Sequence, residues 1–172
     1  RILLSRLRIH RSKGHMQFTF GPYQLAIDTE KTRQFYQHAL PVSKGCSCDG
    51  CLNFEQAVPL LPPSVRSFFS GLGIEMQNVC ECYVNRKTPG GALLYGGFYH
   101  LCGTLLAGES AWTHTSAHTS HWDNDAAFSI TPDFHVSFQT ELALLEPDFP
   151  LPAVQLEFSA SIPWVLHHCN PY

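Results

Sequence analysis

Nucleotide-binding and hydrolase motifs are missing from this 172-residue sequence. It has no GxGxxG or P-loop signature, and no GxSxG segment that would place a serine nucleophile on a strand-to-helix turn. No apolar run approaches the ~20 residues that a membrane-spanning helix needs. The sequence therefore gives no indication of nucleotide chemistry or of a serine hydrolase, and it predicts a protein without a membrane span.

Basic charge is scarce in most of the chain. The formal net charge is −3, with 14 acidic residues against 11 Lys and Arg. Five of the basic residues, and no acidic one, fall within residues 1–15. The rest of the chain is therefore strongly acidic. Because such a surface repels a phosphate backbone, we expect no nucleic-acid partner.

Residues 1–15 differ in composition from the rest of the chain. The segment is basic and has neither a long apolar core nor a small-residue cleavage site, so it does not fit a secretory signal. It fits a basic amphipathic arm or organellar presequence, or an over-long reading frame upstream of a native start at Met16. We favour the second interpretation: a non-native or disordered leader over 1–15, then a single domain over 16–172.

The first half of the domain contains three predicted helices, which follow a predicted strand or hairpin edge over 17–27. Asp28 is the N-cap expected for the first helix. Asp49 is expected to cap the second, over 51–58, and Pro62-Pro63 to begin the third. Each helix presents an apolar stripe that needs a partner surface.

The second half, from Asn78 onward, alternates with the period of two that is typical of antiparallel strands. Two of its strands should each have one buried and one polar face, the buried face carrying Val136, Phe138, Leu156 and Phe158. Helices first and strands second predict an α+β fold, with N-terminal helices packed on a mainly antiparallel β-sheet.

The strongest chemical signal is the segment Cys46-Ser47-Cys48-Asp49-Gly50-Cys51. Its spacing lets one turn present three sulfurs to one point, and the helix after it would favour thiolates at its N-terminus. Zinc prefers four soft ligands in a tetrahedron, so the three cysteines predict a zinc site that needs one more ligand. Redox-active thiols and simple packing are the alternatives.

The fourth ligand has to come from a later strand. His100 is the leading candidate, because Gly96-Gly97 before it permits close backbone approach. Cys80 and Cys82, which share one strand face, are the other candidates, although a strand cysteine is more often a small core residue. All seven cysteines lie in a chain without an export signal, so we expect reduced thiols and a cytoplasmic protein.

A second possible metal site consists of His114, His118 and His121. On a helix their spacing would align three imidazoles on one face and could hold a catalytic metal. The surrounding Ser and Thr residues are poor helix formers, so a long solvated loop over 107–125 is the preferred interpretation.

Two motifs carry a resemblance to a known family. The segments CSCDGCLNFEQAV and LLYGGFYHLCG resemble those of small uncharacterised bacterial proteins that pair CxCxxCxNF with YGGxYHxxG. The resemblance implies a bacterial protein, and it covers about 16–164 but not the three histidines above. It implies no activity, and its matching positions are Cys46, Cys48, Cys51, Asn53, Phe54, Gly97, His100 and Gly103.

Three functions are compatible with these observations. The first is a non-enzymatic, zinc-stabilised cytoplasmic domain that acts through contacts with a protein partner. The second is a metal-dependent hydrolase with an open coordination position for water. The third is a thiol redox or metal-handling protein, which would show reactive cysteines of low pKa.

Overall fold

A computed structural model describes residues 11–12, 14–116 and 119–172 of the chain. Its helices are α1 (Thr29–Tyr36), α2 (Asp49–Ala57) and α3 (Pro63–Gly71), with short 3-10 turns at Val42–Lys44, Val58–Leu60 and Met76–Asn78. Its strands are β1 (Arg11–Ser12), β2 (His15–Phe20), β3 (Tyr23–Ile27), β4 (Glu81–Lys87), β5 (Leu93–Ala107), β6 (Trp112–Ser116), β7 (Thr119–Trp122), β8 (Phe128–Thr131), β9 (Phe134–Gln139) and β10 (Ala153–Ile162).

The fold is α+β and forms a single domain, as the sequence predicts. Its main sheet is antiparallel in the order β1-β2-β3-β5-β10-β9-β8, with β4 also paired to β5. None of the described helices is long and apolar enough to cross a bilayer.

The long strand β5 organises the sheet. Along one edge it pairs with β10, from Leu93 to Cys102. Along its other edge it pairs first with β4 and then, from Gly103 onward, with β3. The backbone of β5 between these two partners needs other hydrogen-bond groups, because buried N–H and C=O groups are costly to leave unpaired.

Helix α1 supplies those groups with two side chains. The Tyr36 hydroxyl accepts a hydrogen bond from the His100 N–H and donates one to the His100 carbonyl, both at 3.0 Å. Thr32 Oγ1 accepts from the Cys102 N–H at 3.0 Å. Two residues one turn apart on α1 thus replace a missing strand, which fixes the helix against the sheet.

The helix boundaries follow local signals. Asp28 caps α1 as predicted, its carboxylate accepting a hydrogen bond from the Lys31 N–H at 3.0 Å. Pro63 begins α3, where its fixed φ is favourable. The predicted cap of α2 was wrong by one residue: the helix begins at Asp49, and Cys48 is its N-cap.

One face of the sheet packs against the helices, and its core is the predicted one. Val136, Phe138, Leu156 and Phe158 are all at most 1% exposed. The Phe158 ring stacks on Phe54 of α2, with ring centroids 5.6 Å apart. Burying each such side chain stabilises the fold by about 1.5–3 kcal/mol.

The opposite face of the sheet is polar, as predicted, but several of its polar side chains are also buried, which was not predicted. Gln155 is 2% exposed and Glu157 is 8% exposed. The chain between β9 and β10 covers this face, and the Ala143 N–H donates to Gln155 Oε1 at 2.7 Å. Polar side chains can be buried there because most of their atoms are hydrogen-bonded.

The predicted long loop over 107–125 is wrong, because the described part of it contains the hairpin β6–β7. Cross-strand pairs stabilise it: the Trp112 and Trp122 rings lie 5.5 Å apart, and the Thr115 and Thr119 hydroxyls 2.8 Å apart.

The hairpin register also separates two of the three histidines. His114 pairs with Ser120, and His121 pairs with Thr113. Because adjacent positions of a strand alternate between faces, His114 and His121 lie on opposite faces of the hairpin. His118 lies outside the described residues.

The predicted leader is only partly described. Arg11 and Ser12 form β1 and pair with Met16 and His15 of β2. Residues 1–10 and 13 lie outside the described residues. The expected start at Met16 stays a prediction.

Candidate metal centre

The loop before α2 is held in place by hydrogen bonds at both ends. In the 3-10 turn, the Cys46 N–H donates to the Val42 carbonyl at 3.1 Å. The Ser43 N–H donates to the Glu55 carboxylate on α2 at 3.0 Å. At the far end, Cys48 Sγ accepts from the Cys51 N–H at 3.4 Å, which makes this thiol the helix N-cap.

The three cysteines of this loop converge. The Sγ atoms of Cys46, Cys48 and Cys51 all lie within 4.8 Å of one another, and those of Cys46 and Cys48 are 3.2 Å apart. A zinc tetrahedron with Zn–S bonds of about 2.3 Å separates its sulfurs by about 3.8 Å. The cluster is thus compact enough to hold a metal ion.

Cys82 on β4 extends the cluster toward the sheet. Its Sγ lies 4.0 Å from that of Cys51, and the side chain is 9% exposed. Cys82 pairs with Gly97 of β5, and the face that they share packs against α2. The sequence signal for this residue was the alternation in Cys80-Glu81-Cys82, which shows the shared face but not which helix covers it.

The surroundings of Cys46, Cys51 and Cys82 shift the pKa values of these thiols. A hydrogen bond from the Cys48 backbone lowers the pKa of Cys46. Burial raises the pKa of Cys51 and raises that of Cys82 to about 12. The two buried thiols are therefore neutral at physiological pH unless a cation is near them, and binding a metal dication would release their protons.

His100 lies on the other face of β5. Its Nε2 contacts Gln155 Oε1 at 3.3 Å. The same oxygen accepts a hydrogen bond from Ala143, so His100 Nε2 must be the donor. Burial lowers the pKa of His100, which keeps the ring neutral. The structure brings the three predicted cysteines together and leaves His100 out of their group.

Strand alternation explains this separation. Gly97 and Tyr99 face the helices, so His100 faces away from them, beside its cross-strand partner Gln155. Cys82 faces the helices because it is directly opposite Gly97. Of the predicted strand ligands, Cys82 is thus on the same face as the cysteine loop.

A large cleft adjoins the cysteines. Its volume is about 1070 Å³, and its walls include Cys46, Cys51 and Cys82 together with residues of α1 and of 146–150. His100 also contributes to the wall. The cleft gives a metal ion or a small thiol reagent access to the cluster.

The two motifs that carry the family resemblance meet in space. The Tyr95 hydroxyl donates to the Gly50 carbonyl at 2.8 Å and accepts from Asn53 Nδ2 at 3.2 Å. Asn53 is fully buried, and its amide also bonds the backbone of Pro163 and Val165. Sequence reasoning missed this role of Asn53, which ties α2 to the chain after β10.

The comparisons with known proteins add nothing to this geometry. No family model, curated protein or solved structure matches this chain. The resemblance through the two motifs stays a prediction.

Proposed function

We propose that Cys46, Cys48, Cys51 and Cys82 bind one zinc ion, which ties the loop before α2 to strand β4. The observation that carries this proposal is the convergence of three loop thiols beside a fourth thiol 4.0 Å from Cys51. Four thiolates favour zinc over magnesium or calcium, which prefer oxygen ligands. In this proposal Cys82 takes the place first predicted for His100.

The proposed role of the ion is structural. A shell of four protein ligands leaves no vacancy for a water nucleophile, whereas a catalytic zinc keeps one open. Thirty residues separate Cys51 from Cys82 in the sequence, so the ion closes a long loop and restricts the unfolded chain. We propose a cytoplasmic, non-enzymatic bacterial domain that the metal stabilises and that acts through protein contacts.

The test is the metal content and stability of purified protein prepared without chelator. We expect one zinc per chain by elemental analysis, and a lower melting temperature after chelation. Cys48→Ser, Cys51→Ser and Cys82→Ser should each lower both zinc content and stability. Cys169→Ser is the matched control, because this thiol is exposed and lies outside the cluster.

Two outcomes would change the proposal. Metal-free protein that melts identically with and without zinc would overturn it. If His100→Ala lowers the zinc content and Cys82→Ser does not, the fourth ligand is His100. Substitution with cobalt(II) separates the two cases by its absorption spectrum, since thiolate and imidazole ligands give different charge-transfer bands.

A second candidate function is thiol redox or metal-handling chemistry. It is favoured by the 3.2 Å between the Sγ atoms of Cys46 and Cys48, the latter exposed. In the zinc proposal, alkylation of these thiols should be slow until the metal is removed. Rapid alkylation of Cys46 or Cys48 in metal-loaded protein would favour the second candidate.

A further inference from the structure

A second, smaller cleft lies on the sheet face that points away from the helices. Its volume is about 330 Å³. Strands β4, β5, β9 and β10 form its floor, while β6 and residues 141–143 form its walls. The lining combines aromatic and acidic side chains: Tyr83, Phe98, Trp112, Glu81, Glu141 and Glu157.

One carboxylate oxygen in this cleft is buried without a partner. Glu157 is 8% exposed, and its Oε1 accepts hydrogen bonds from Gln139 Nε2 at 2.7 Å and Gln155 Nε2 at 2.8 Å. Among the described residues, its Oε2 has no hydrogen-bond partner, although the Trp112 side chain lies close enough to Glu157 to lower the pKa of the carboxyl. A buried acceptor without a donor is unfavourable, so this oxygen is a specific place for a donor from outside the chain.

The neighbouring hydrogen bonds fix the direction of that oxygen. Gln155 Oε1 is occupied by the Ala143 N–H, which turns the Gln155 amide NH₂ toward Glu157 Oε1. Gln139 donates to the same Oε1. Both neutral amides therefore hold one oxygen of the carboxylate, and the other is left for a ligand.

The charge around Oε2 selects a cation. Among the described residues, the lining of the cleft includes three glutamates but no Lys, Arg or His. None of these glutamates forms an ion pair within the described part of the chain. Burial raises the pKa of Glu157, and a cation bound at Oε2 would favour the ionised form again.

The aromatic walls favour an organic cation over a metal ion. Tyr83, Phe98 and Trp112 line the cleft, and alkylammonium and guanidinium groups are attracted to aromatic rings as well as to carboxylates. We infer that this cleft binds a primary ammonium or guanidinium group, which donates a hydrogen bond to Glu157 Oε2. This inference is independent of the zinc proposal, since the cleft contains none of the cysteines.

The test is calorimetric titration of the intact protein with n-butylammonium, N-acetyl-lysine methylamide and N-acetyl-arginine methylamide. We expect saturable binding, and no binding of the neutral analogue n-butanol. Binding of n-butylammonium indicates that a free amine suffices; binding of only the amino-acid derivatives indicates a Lys or Arg side chain as the ligand. Failure of all three cations to bind would overturn the inference.

Variants connect the binding to the carboxylate. Glu157→Gln should weaken binding by about tenfold or more, because it removes a desolvated charge partner. Glu109→Gln, the same charge change at an exposed site outside the cleft, should leave the affinity unchanged. Equal affinity in the wild type and Glu157→Gln would overturn the inference. If Glu157→Gln does not fold, Trp112→Leu is the variant to test. An affinity for the cations equal to that of the wild type in Trp112→Leu would also overturn the inference.

Discussion

Tyr36→Phe should lower the free energy of unfolding by more than the loss of one buried hydrogen bond does, because it leaves two backbone groups unpaired. The hydroxyl is the partner of both the N–H and the carbonyl of His100, at 3.0 Å each, and the Tyr36 side chain is 3% exposed. Phe retains the volume of the ring, so no cavity adds to the loss. Each buried group left unpaired costs about 1–3 kcal/mol, which gives about 2–6 kcal/mol for the pair.

A loss of this size is a large part of the 5–15 kcal/mol that typically stabilises a domain. The matched control is Tyr99→Phe, because this buried hydroxyl donates a single hydrogen bond, to the Met76 carbonyl at 2.6 Å. It should lose about 1–3 kcal/mol. Burial raises the pKa of Tyr36, so its hydroxyl stays protonated and the loss should not vary between pH 6 and 8.

Urea unfolding, followed by circular dichroism at a fixed metal content, measures both variants. We expect unfolding at a lower urea concentration, with an unchanged dependence of the unfolding free energy on urea. This result means that the variant is less stable but exposes the same surface area on unfolding. If Tyr36→Phe loses no more than Tyr99→Phe, the Tyr36 hydroxyl does not replace a strand at the edge of β5.

Three further predictions concern the two faces of the sheet and the hairpin. Phe158→Asp should prevent folding, because it places a charge among Phe54, Tyr99 and Phe134; a soluble variant that melts cooperatively would contradict this. Glu157→Gln should raise the melting temperature more at pH 8 than at pH 4. Because the pKa of Glu157 is raised, the native state keeps this proton to a higher pH than the unfolded chain does. The stability of the wild type therefore falls as the pH rises through that pKa. An equal change at both pH values would exclude this cause. Replacing His114 and His121 with Ala should leave zinc content and melting temperature unchanged, since the two lie on opposite faces of the exposed hairpin; loss of zinc would instead support the hydrolase hypothesis.

Local patterns predicted most of the secondary structure. The cap at Asp28 and the start of α3 at Pro63 follow from short-range signals, and so does the extended chain before α1, of which the sequence left a single strand or a hairpin open. The core positions of β9 and β10 follow from alternation. These features depend on residues a few positions apart, which a single sequence displays directly.

Features that depend on distant packing were not predicted. The burial of Gln155 and Glu157 results from the chain between β9 and β10 folding back over the sheet, which alternation cannot show. The hairpin over 112–122 was missed because its Ser and Thr residues resemble those of a loop. Its strands are stabilised by pairs across the turn.

In the candidate site, too, the local features were predicted and those that depend on distant packing were not. The spacing of Cys46, Cys48 and Cys51 predicted their convergence. The fourth position required knowing which face of the sheet α2 covers. His100 and Cys82 were both candidates for the fourth ligand from the sequence. In the paired strands, Cys82 is opposite Gly97 and lies on the face that the helices cover, whereas His100 lies on the other face.

Strand β4 has a partner on one side only, among the described residues. Its outer edge therefore offers backbone groups to any other extended chain, the arrangement from which edge-to-edge aggregation begins. If Cys82 is bound to zinc, the metal fixes this strand near its start, at the second residue of Glu81–Lys87. Metal depletion would then first appear as faster amide exchange in β4 and as self-association of otherwise folded molecules.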